Sequence, residues 1–126
     1  MARMMRADWQ GAMHHVMARG IDGRQIFSSE DDKEELLSRL ALLVPELEFS
    51  IYAWAIMPNH LHLLVRTGKE PLWKFMHRLL TGYGLVYNRK YERRGHVFQG
   101  RFRSILVQED LYFIRLIRYI PVSYTH

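Results

Sequence analysis

Two hydrophobic periodicities alternate along the chain, and together they predict its secondary structure. Clustered aromatic and β-branched residues predict strands, whereas apolar residues at three- and four-residue spacing predict amphipathic helices. Strands are expected at residues 11–20, 49–56, 60–66 and 104–107. Helices are expected at residues 29–45, from residue 71 to a point before Gly95, and at 109–120.

Local residue types predict where the helices begin and end. Ser29 with Asp32 three residues later resembles a capping box, and Pro45 is expected to stop the first helix. Pro71 is expected to open the second helix, although the interior residues Gly82 and Gly84 weaken its pattern.

The order strand, helix, strand, strand, helix, strand predicts an α+β fold. It matches a ferredoxin-like split βαβ sandwich, in which helices cover one face of an antiparallel sheet and the other face stays open. The turn at Met57-Pro58-Asn59 predicts a hairpin between the second and third strands. The helix at 109–120 is then an addition to this core, and the 126 residues fit a single domain, 1–126.

Composition narrows the class of protein. Hydrophobic residues make up 48% of the chain and charged residues 25%, which is typical of a folded soluble protein. No apolar run approaches the roughly 20 residues of a membrane span, and the first residues lack a secretory signal, so we expect a cytoplasmic protein with no membrane partner. The absence of cysteine excludes disulfides, thiolate metal sites and cysteine nucleophiles.

The charge distribution favours a polyanionic partner. The net charge is +5 and the pI is about 9.7. Glu92 is the only acid between residues 74 and 103, a segment that holds eight basic residues: Lys74, Arg78, Arg89, Lys90, Arg93, Arg94, Arg101 and Arg103. This separation of charge predicts a surface that follows phosphates.

His60 and His62 form the clearest candidate site. Side chains alternate faces in a strand, so both imidazoles point to one side and Leu61 and Leu63 point to the other. Two neutral imidazoles can bind a divalent metal and leave positions open for a phosphate oxygen. The alternative is a pair of partly exposed or hydrogen-bonded histidines without a metal.

Several separated motifs resemble one known family. Residues 57–65, with a proline-containing turn before a His-hydrophobic-His strand, resemble the signature of REP-associated tyrosine transposases, a branch of the HUH single-tyrosine transposases. Residues 11–20 are similar to that family's first strand, and residues 87–89 and 95–102 to its helix end and basic loop. The resemblance implies Mg²⁺ or Mn²⁺ held by His60 and His62, a 5′-phosphotyrosine intermediate, and single-stranded or hairpin DNA as substrate.

Seven tyrosines compete for the role of nucleophile. At about 100° per residue, Tyr119 lies opposite the apolar side of the last helix, near Arg115 and Arg118. The resemblance implies that Tyr119 is the nucleophile, because Arg118-Tyr119-Ile120 matches the family's context. The alternative is a boundary residue of an amphipathic helix. Tyr83 and Tyr87 are expected in the core, and Tyr91 at a helix end.

The sequence departs from the family after Ile120. Pro121 and Val122 follow directly, so Ser123 stands where the family carries an amide-bearing group that completes the metal site. We therefore expect a truncated or atypical C-terminus. The third metal ligand and the cleavage competence of the chain stay open, as does His126 as a replacement ligand.

The basic loop, residues 93–103, is a candidate DNA contact. It interleaves cations with aromatic residues, a combination that binds phosphates and stacks bases. The expected DNA-binding residues are Arg19 on the first strand and, in the loop, Arg94, His96, Gln99, Arg101 and Arg103. The alternative is a solvated basic turn that Phe98 and Phe102 anchor to the core.

Two other functions fit the same residues. One is a nucleic-acid-binding domain of this fold without catalysis. The other is a metal- or histidine-dependent phosphoesterase that would hydrolyse its substrate without a covalent intermediate, although the chain lacks a second His-x-His or His-x-Thr motif. Both a monomer and a homodimer agree with the sequence.

Overall fold

The computed structural model describes residues 10–107, which form a four-stranded sheet and two long helices. In chain order the elements are β1 (Met13–Arg19), α1 (Glu30–Leu47), β2 (Ser50–Met57), β3 (His60–Arg66), α2 (Leu72–Lys90) and β4 (Arg103–Leu106). A single 3₁₀ turn, Ile21–Gly23, follows β1. The helix predicted at 109–120, with Tyr119, lies outside the described residues.

The sheet has the strand order β2-β3-β1-β4, and every neighbouring pair is antiparallel. The predicted hairpin of β2 and β3 is confirmed. Because β1 lies between β3 and β4, it occupies the centre of the sheet together with β3. This arrangement confirms the α+β ferredoxin-like fold, with the described helices on one face.

The main hydrophobic core lies between the sheet and the helices. β3 contributes Leu61, Leu63 and Val65, which are fully buried, and α2 contributes Phe75 and other residues of its apolar stripe. Phe75 stacks on Phe49 with ring centroids 4.3 Å apart. Each large side chain buried in this way stabilises the fold by about 1.5–3 kcal/mol. Because side chains alternate along a strand, the residues between these core positions lie on the opposite face of the sheet.

The boundaries of α1 confirm one prediction and correct another. The capping box is present, since Ser29 Oγ accepts from the Asp32 amide and Asp32 Oδ2 accepts from the Ser29 amide. The prediction that Pro45 stops the helix was wrong, because the helix runs to Leu47. Proline lacks only one amide donor, a small loss in the last turn, and Glu48 ends the helix in a left-handed conformation, donating to backbone carbonyls of that turn.

Helix α2 continues through Gly82 and Gly84. A Cβ atom at Gly82 would meet the guanidinium of Arg39 on α1, the far end of a flexible side chain that would have to shift. Arg39 is held there by Glu35, whose carboxylate lies 2.8 Å from Arg39 Nε. Tyr83 and Tyr87 are buried in the core as predicted.

The start of α1 and the end of α2 are joined by polar contacts. Asp32 is almost fully buried and accepts hydrogen bonds from Lys90 Nζ at 2.8 Å and from the Tyr91 hydroxyl at 2.7 Å. These bonds satisfy a carboxylate that would otherwise be costly to bury. They also confirm Tyr91 as a helix-end residue. Within residues 10–107, neither helix has the length and hydropathy needed to cross a membrane.

Candidate functional site

The side of the sheet that faces away from the helices carries a cluster of basic side chains. Alternation along β1 and β3 places His15, Arg19, His60 and His62 on this side, which we call the histidine face. Arg19 pairs with His60 across the two strands, and Met17 pairs with His62. The histidines therefore belong to the two central strands, whose backbones are paired on both edges.

The His62 imidazole contacts the imidazoles of both His15 and His60. The ring centroids of His60 and His62 are 4.9 Å apart, with the planes nearly perpendicular. Those of His15 and His62 are 5.2 Å apart, with the planes inclined by 18°. His15 and His62 are each only 8% exposed, whereas His60 is partly exposed. His60 thus lies on the solvent side of the cluster.

Each of the two candidate ligands uses its Nδ1 atom within the protein. His60 Nδ1 lies 2.8 Å from Asn59 Oδ1, and His62 Nδ1 lies 3.0 Å from His15 Nε2. An amide oxygen can only accept, so His60 carries a proton on Nδ1 and has its lone pair on Nε2 when neutral. The Asn59 amide nitrogen donates to the Gly23 carbonyl at 3.5 Å, which agrees with this orientation of the amide.

The surroundings of the histidines favour their neutral forms. Burial lowers the pKa of His15 below its usual value, and burial together with the charge of Arg19 lowers the pKa of His60. Burial, with smaller contributions from His15 and His60, lowers the pKa of His62 to about 4. A neutral imidazole keeps a lone pair, which is the form that binds a metal.

The donor set fits an open metal site with two protein nitrogens. Within residues 10–107, no three histidine or carboxylate side chains are arranged to hold a metal ion together. Further ligands would then come from water, from a phosphate oxygen or from residues outside this range. Two imidazoles suit several transition metals, among them Mn²⁺, and an incomplete shell is what a substrate oxygen requires.

Two arginines flank the histidine face. Arg19 is exposed at the end of β1 beside His60, and Arg103 begins the edge strand β4. Arg103 pairs with Met17, which in turn pairs with His62, so these side chains share the histidine face. Both predicted DNA-binding residues are therefore brought to the histidines.

The other predicted DNA-binding residues lie in the basic loop. Arg94, His96 and Arg101 are exposed. Gln99 is exposed too, but its side-chain Oε1 accepts from the backbone amide of Asp22 at 2.9 Å. The backbone amide of Gln99 donates to the Arg19 carbonyl at 2.8 Å. Gln99 thus fastens the loop to the end of β1, and its side-chain oxygen is engaged within the protein.

The two phenylalanines of the loop are anchors. Phe98 and Phe102 are partly buried and pack against the main core. Phe98 also forms an isolated bridge with Gly20 at the end of β1. This packing agrees with the alternative that the sequence left open, and it gives the loop a fixed position beside the histidine face.

A groove of about 960 Å³ runs between α2 and the basic loop, and the sequence reasoning missed it. We call it the side groove. Its walls include Trp73, His77 and Leu85 from α2 and His96 and Arg101 from the loop. Trp73 is 56% exposed and Leu85 is 62% exposed. The available signal was the position of these residues on α2, outside the apolar stripe that faces the core.

Comparisons with solved structures agree with this fold. A REP-associated tyrosine transposase bound to a REP hairpin superposes with a TM-score of 0.73 at 15% sequence identity, covering 95% of this chain and 70% of that one. A protein of Deinococcus radiodurans R1 assigned as a transposase superposes with a TM-score of 0.63 at 16% identity, covering 90% of this chain and 92% of that one. No protein of curated function matches the sequence significantly.

The family itself follows from the sequence. Residues 9–122 match the family described as Transposase IS200 like. The match covers nearly the whole chain, including both histidines of β3. The chain therefore belongs to the IS200-like transposase family, which agrees with the single-tyrosine HUH resemblance of its motifs. Membership supports a transposase function that acts on DNA.

Proposed function

We propose that this chain cuts and rejoins single-stranded DNA by way of a 5′-phosphotyrosine, with Mg²⁺ or Mn²⁺ held by His60 and His62. The observation that carries the proposal is the pair of neighbouring imidazoles on the open face of the sheet, each with its Nδ1 atom engaged within the protein. With both lone pairs on Nε2, such a pair would offer two nitrogen ligands to one ion. A bound ion would polarise the scissile phosphate and stabilise its developing charge.

The protein's own residues perform the remaining tasks. Arg19 and Arg103 flank the histidines and are suited to bind the phosphates on either side of the scissile bond. The Tyr119 oxygen would attack phosphorus while the bond from phosphorus to the 3′-oxygen breaks, and that oxygen leaves as a 3′-hydroxyl. A second 3′-hydroxyl then attacks the phosphotyrosine, a DNA strand is rejoined, and the tyrosine is recovered.

The proposed substrate is a DNA hairpin with single-stranded flanks. One similar structure is a transposase bound to a REP hairpin, and this chain shares its fold. Arg94, His96 and Arg101 of the basic loop would contact phosphates, while the amide nitrogen of Gln99 is the part of that side chain left to reach a base.

The side groove extends the proposed path of the DNA. Trp73 offers an exposed ring on which a base can stack, and Arg101 supplies positive charge, while no carboxylate is among the described residues that line the groove. Phe102 lines the groove and Arg103, the next residue, lies on the histidine face. A DNA strand that leaves the groove would therefore have to pass around the start of β4 to reach the histidine face.

A covalent-adduct assay tests the proposal. The protein is incubated with Mn²⁺ and a pool of DNA hairpins with randomised single-stranded flanks, labelled at the 3′ end, because a 5′-phosphotyrosine retains the 3′ portion of the DNA. We expect a labelled adduct that survives denaturation and is lost in Tyr119→Phe and in His60→Ala.

Each of the other results of this assay would contradict a particular part of the proposal. DNA binding without an adduct would indicate a non-catalytic binding domain, and hydrolysis without an adduct would indicate a phosphoesterase. An adduct that persists in Tyr119→Phe would assign the nucleophile to a different tyrosine.

A further inference from the structure

We propose that His15 is a positioning residue that fixes the tautomer of His62, so that the lone pair of His62 lies on Nε2 and faces the metal. This inference rests on the proposed metal-binding role of His62. The resemblance to single-tyrosine transposases implies no function for His15.

The contact between the two rings is a hydrogen bond between nitrogens. His15 Nε2 and His62 Nδ1 are 3.0 Å apart, much closer than the 5.2 Å between the ring centroids. The rings therefore meet edge to edge through these two atoms and not face to face. Only one hydrogen fits between two nitrogens at this distance, so one ring donates and the other accepts.

The direction of this hydrogen bond decides whether His62 Nε2 has a lone pair for a metal. If His62 Nδ1 donates to His15, a neutral His62 has its lone pair on Nε2 and can bind an ion through it. If His15 Nε2 donates instead, His62 Nδ1 accepts and a neutral His62 carries its hydrogen on Nε2, where it blocks coordination. Metal binding by His62 therefore requires His15 to be the acceptor.

His60 shows the same arrangement with a partner that can only accept. Asn59 Oδ1 takes the hydrogen of His60 Nδ1, which directs the lone pair to Nε2. With His15 as the acceptor for His62, both candidate ligands present Nε2. Metal-binding histidines generally donate their other ring nitrogen to a fixed acceptor in this way.

The sheet holds His15 in a fixed place beside His62. His15 pairs with Leu64 and Met17 pairs with His62, so His15 and His62 are diagonal neighbours across β1 and β3. Because β1 is paired with β3 and with β4, its backbone has little freedom near His15. Both residues are only 8% exposed, so the contact between the two rings is shielded from solvent.

The tautomer is measured directly in the metal-free protein. Nitrogen-15 NMR of protein labelled at histidine distinguishes a protonated from an unprotonated ring nitrogen, and the His62 signals are assigned by their loss in His62→Phe. At neutral pH we expect hydrogen on Nδ1 and a lone pair on Nε2. A His62 that carries its hydrogen on Nε2 would overturn the proposal, and this measurement requires no variant of His15.

Metal affinity then tests the role of His15. We expect His15→Leu to weaken Mn²⁺ binding by about 10–100-fold, the usual effect of removing such a partner, and to give His62 a mixture of tautomers. The amide oxygen of His15→Gln can accept the same hydrogen, so this variant should restore most of the Mn²⁺ affinity and most of the single His62 tautomer. His77→Leu removes an exposed histidine on α2 and is the matched control.

The outcomes separate this inference from the proposed function. If His60→Ala abolishes Mn²⁺ binding and folded His15→Leu binds Mn²⁺ as the wild type does, His15 is not a positioning residue, although the metal site stands. If the wild type does not bind Mn²⁺, the proposed metal site fails, and the role of His15 fails with it.

Discussion

Arg19 and His60 lie directly opposite each other across the β1 and β3 strands, on the face of the sheet that the helices leave open. The guanidinium disfavours a second positive charge nearby, so it adds to the effect of burial in lowering the pKa of His60. Arg19 thereby helps burial to keep His60 neutral, and in the proposed function it would also offer a cation to a DNA phosphate.

Removal of the Arg19 charge should change the titration of His60. In Arg19→Met we expect the pKa of His60 to rise towards its ordinary value but not to reach it, because burial is the larger cause of the shift and persists. An NMR pH titration of the His60 ring protons measures this. Arg78→Met, which removes a charge paired with Glu46 on the helices, should leave the His60 pKa unchanged. An unchanged pKa in Arg19→Met would refute the electrostatic coupling.

Asn59 should matter for metal affinity through its oxygen. Asn59→Ala removes the acceptor for His60 Nδ1, and we expect Mn²⁺ binding to weaken by about tenfold or more, since orientation of the ligand is lost. Asn59→Asp keeps an oxygen in place and should bind Mn²⁺ at least as well as the wild type. Isothermal titration calorimetry distinguishes the two variants. Equal weakening in both would indicate a general effect on the turn and not on the hydrogen bond.

The stability of the fold should decrease in mild acid. The pKa of His62 is about 4 in the folded chain and 6.5 in the unfolded reference, so between these values the unfolded chain binds more protons. The free energy of unfolding should therefore fall as the pH is lowered from 6.5 towards 4, by on the order of 2 kcal/mol for this residue. His15 and His60 act in the same direction.

Chemical denaturation at several pH values measures this dependence. His62→Phe should reduce the slope but not abolish it, because the phenyl ring has no proton to gain while His15 and His60 remain. Leu42→Phe, at an exposed position on α1, changes no titratable group and should retain the wild-type slope. A wild-type stability that is constant between pH 6.5 and 4 would contradict the lowered pKa values.

The side groove should contribute to single-strand binding by two separable mechanisms. Trp73→Ala should cost about 1–3 kcal/mol of binding free energy through lost stacking and should not change the salt dependence. Arg101→Ala should reduce the slope of log affinity against log salt by about 0.7 for one lost phosphate contact. Fluorescence anisotropy with labelled single-stranded DNA at several salt concentrations measures both quantities.

A matched control exists for the tryptophan. Leu42 is an exposed apolar residue on α1, and Leu42→Ala should leave DNA affinity unchanged. If Trp73→Ala also binds as the wild type does, the DNA does not pass through the side groove. The basic loop and the histidine face would then remain as the proposed contacts.

The fold was predictable because its elements are encoded locally. Hydrophobic periodicity predicted the order of the strands and helices. The capping box was visible in the sequence because Ser29 and Asp32 are only three residues apart. The end of α1 was predicted wrongly, because Pro45 alone does not show how far the last turn continues beyond it. Helix α2 was predicted correctly in spite of Gly82 and Gly84, because its apolar stripe outweighs them.

The candidate site was predictable in part for the same reason. His60 and His62 share a face because strand alternation demands it, and their spacing is local. The contact of His15 with His62 depends on the register between β1 and β3, which the sequence does not state. The side groove depends on how the basic loop packs against α2, so no single motif contains it.

The proposed chemistry requires that His60 and His62 bind the metal through nitrogen. Pulsed electron paramagnetic resonance of the Mn²⁺-loaded protein detects nitrogen nuclei coupled to the ion. We predict coupling from two histidine nitrogens in the wild type and from one in His60→Ala, with the His77→Leu control unchanged. An Mn²⁺ signal without nitrogen coupling, or a coupling that is the same in His60→Ala, would contradict metal binding by His60 and His62.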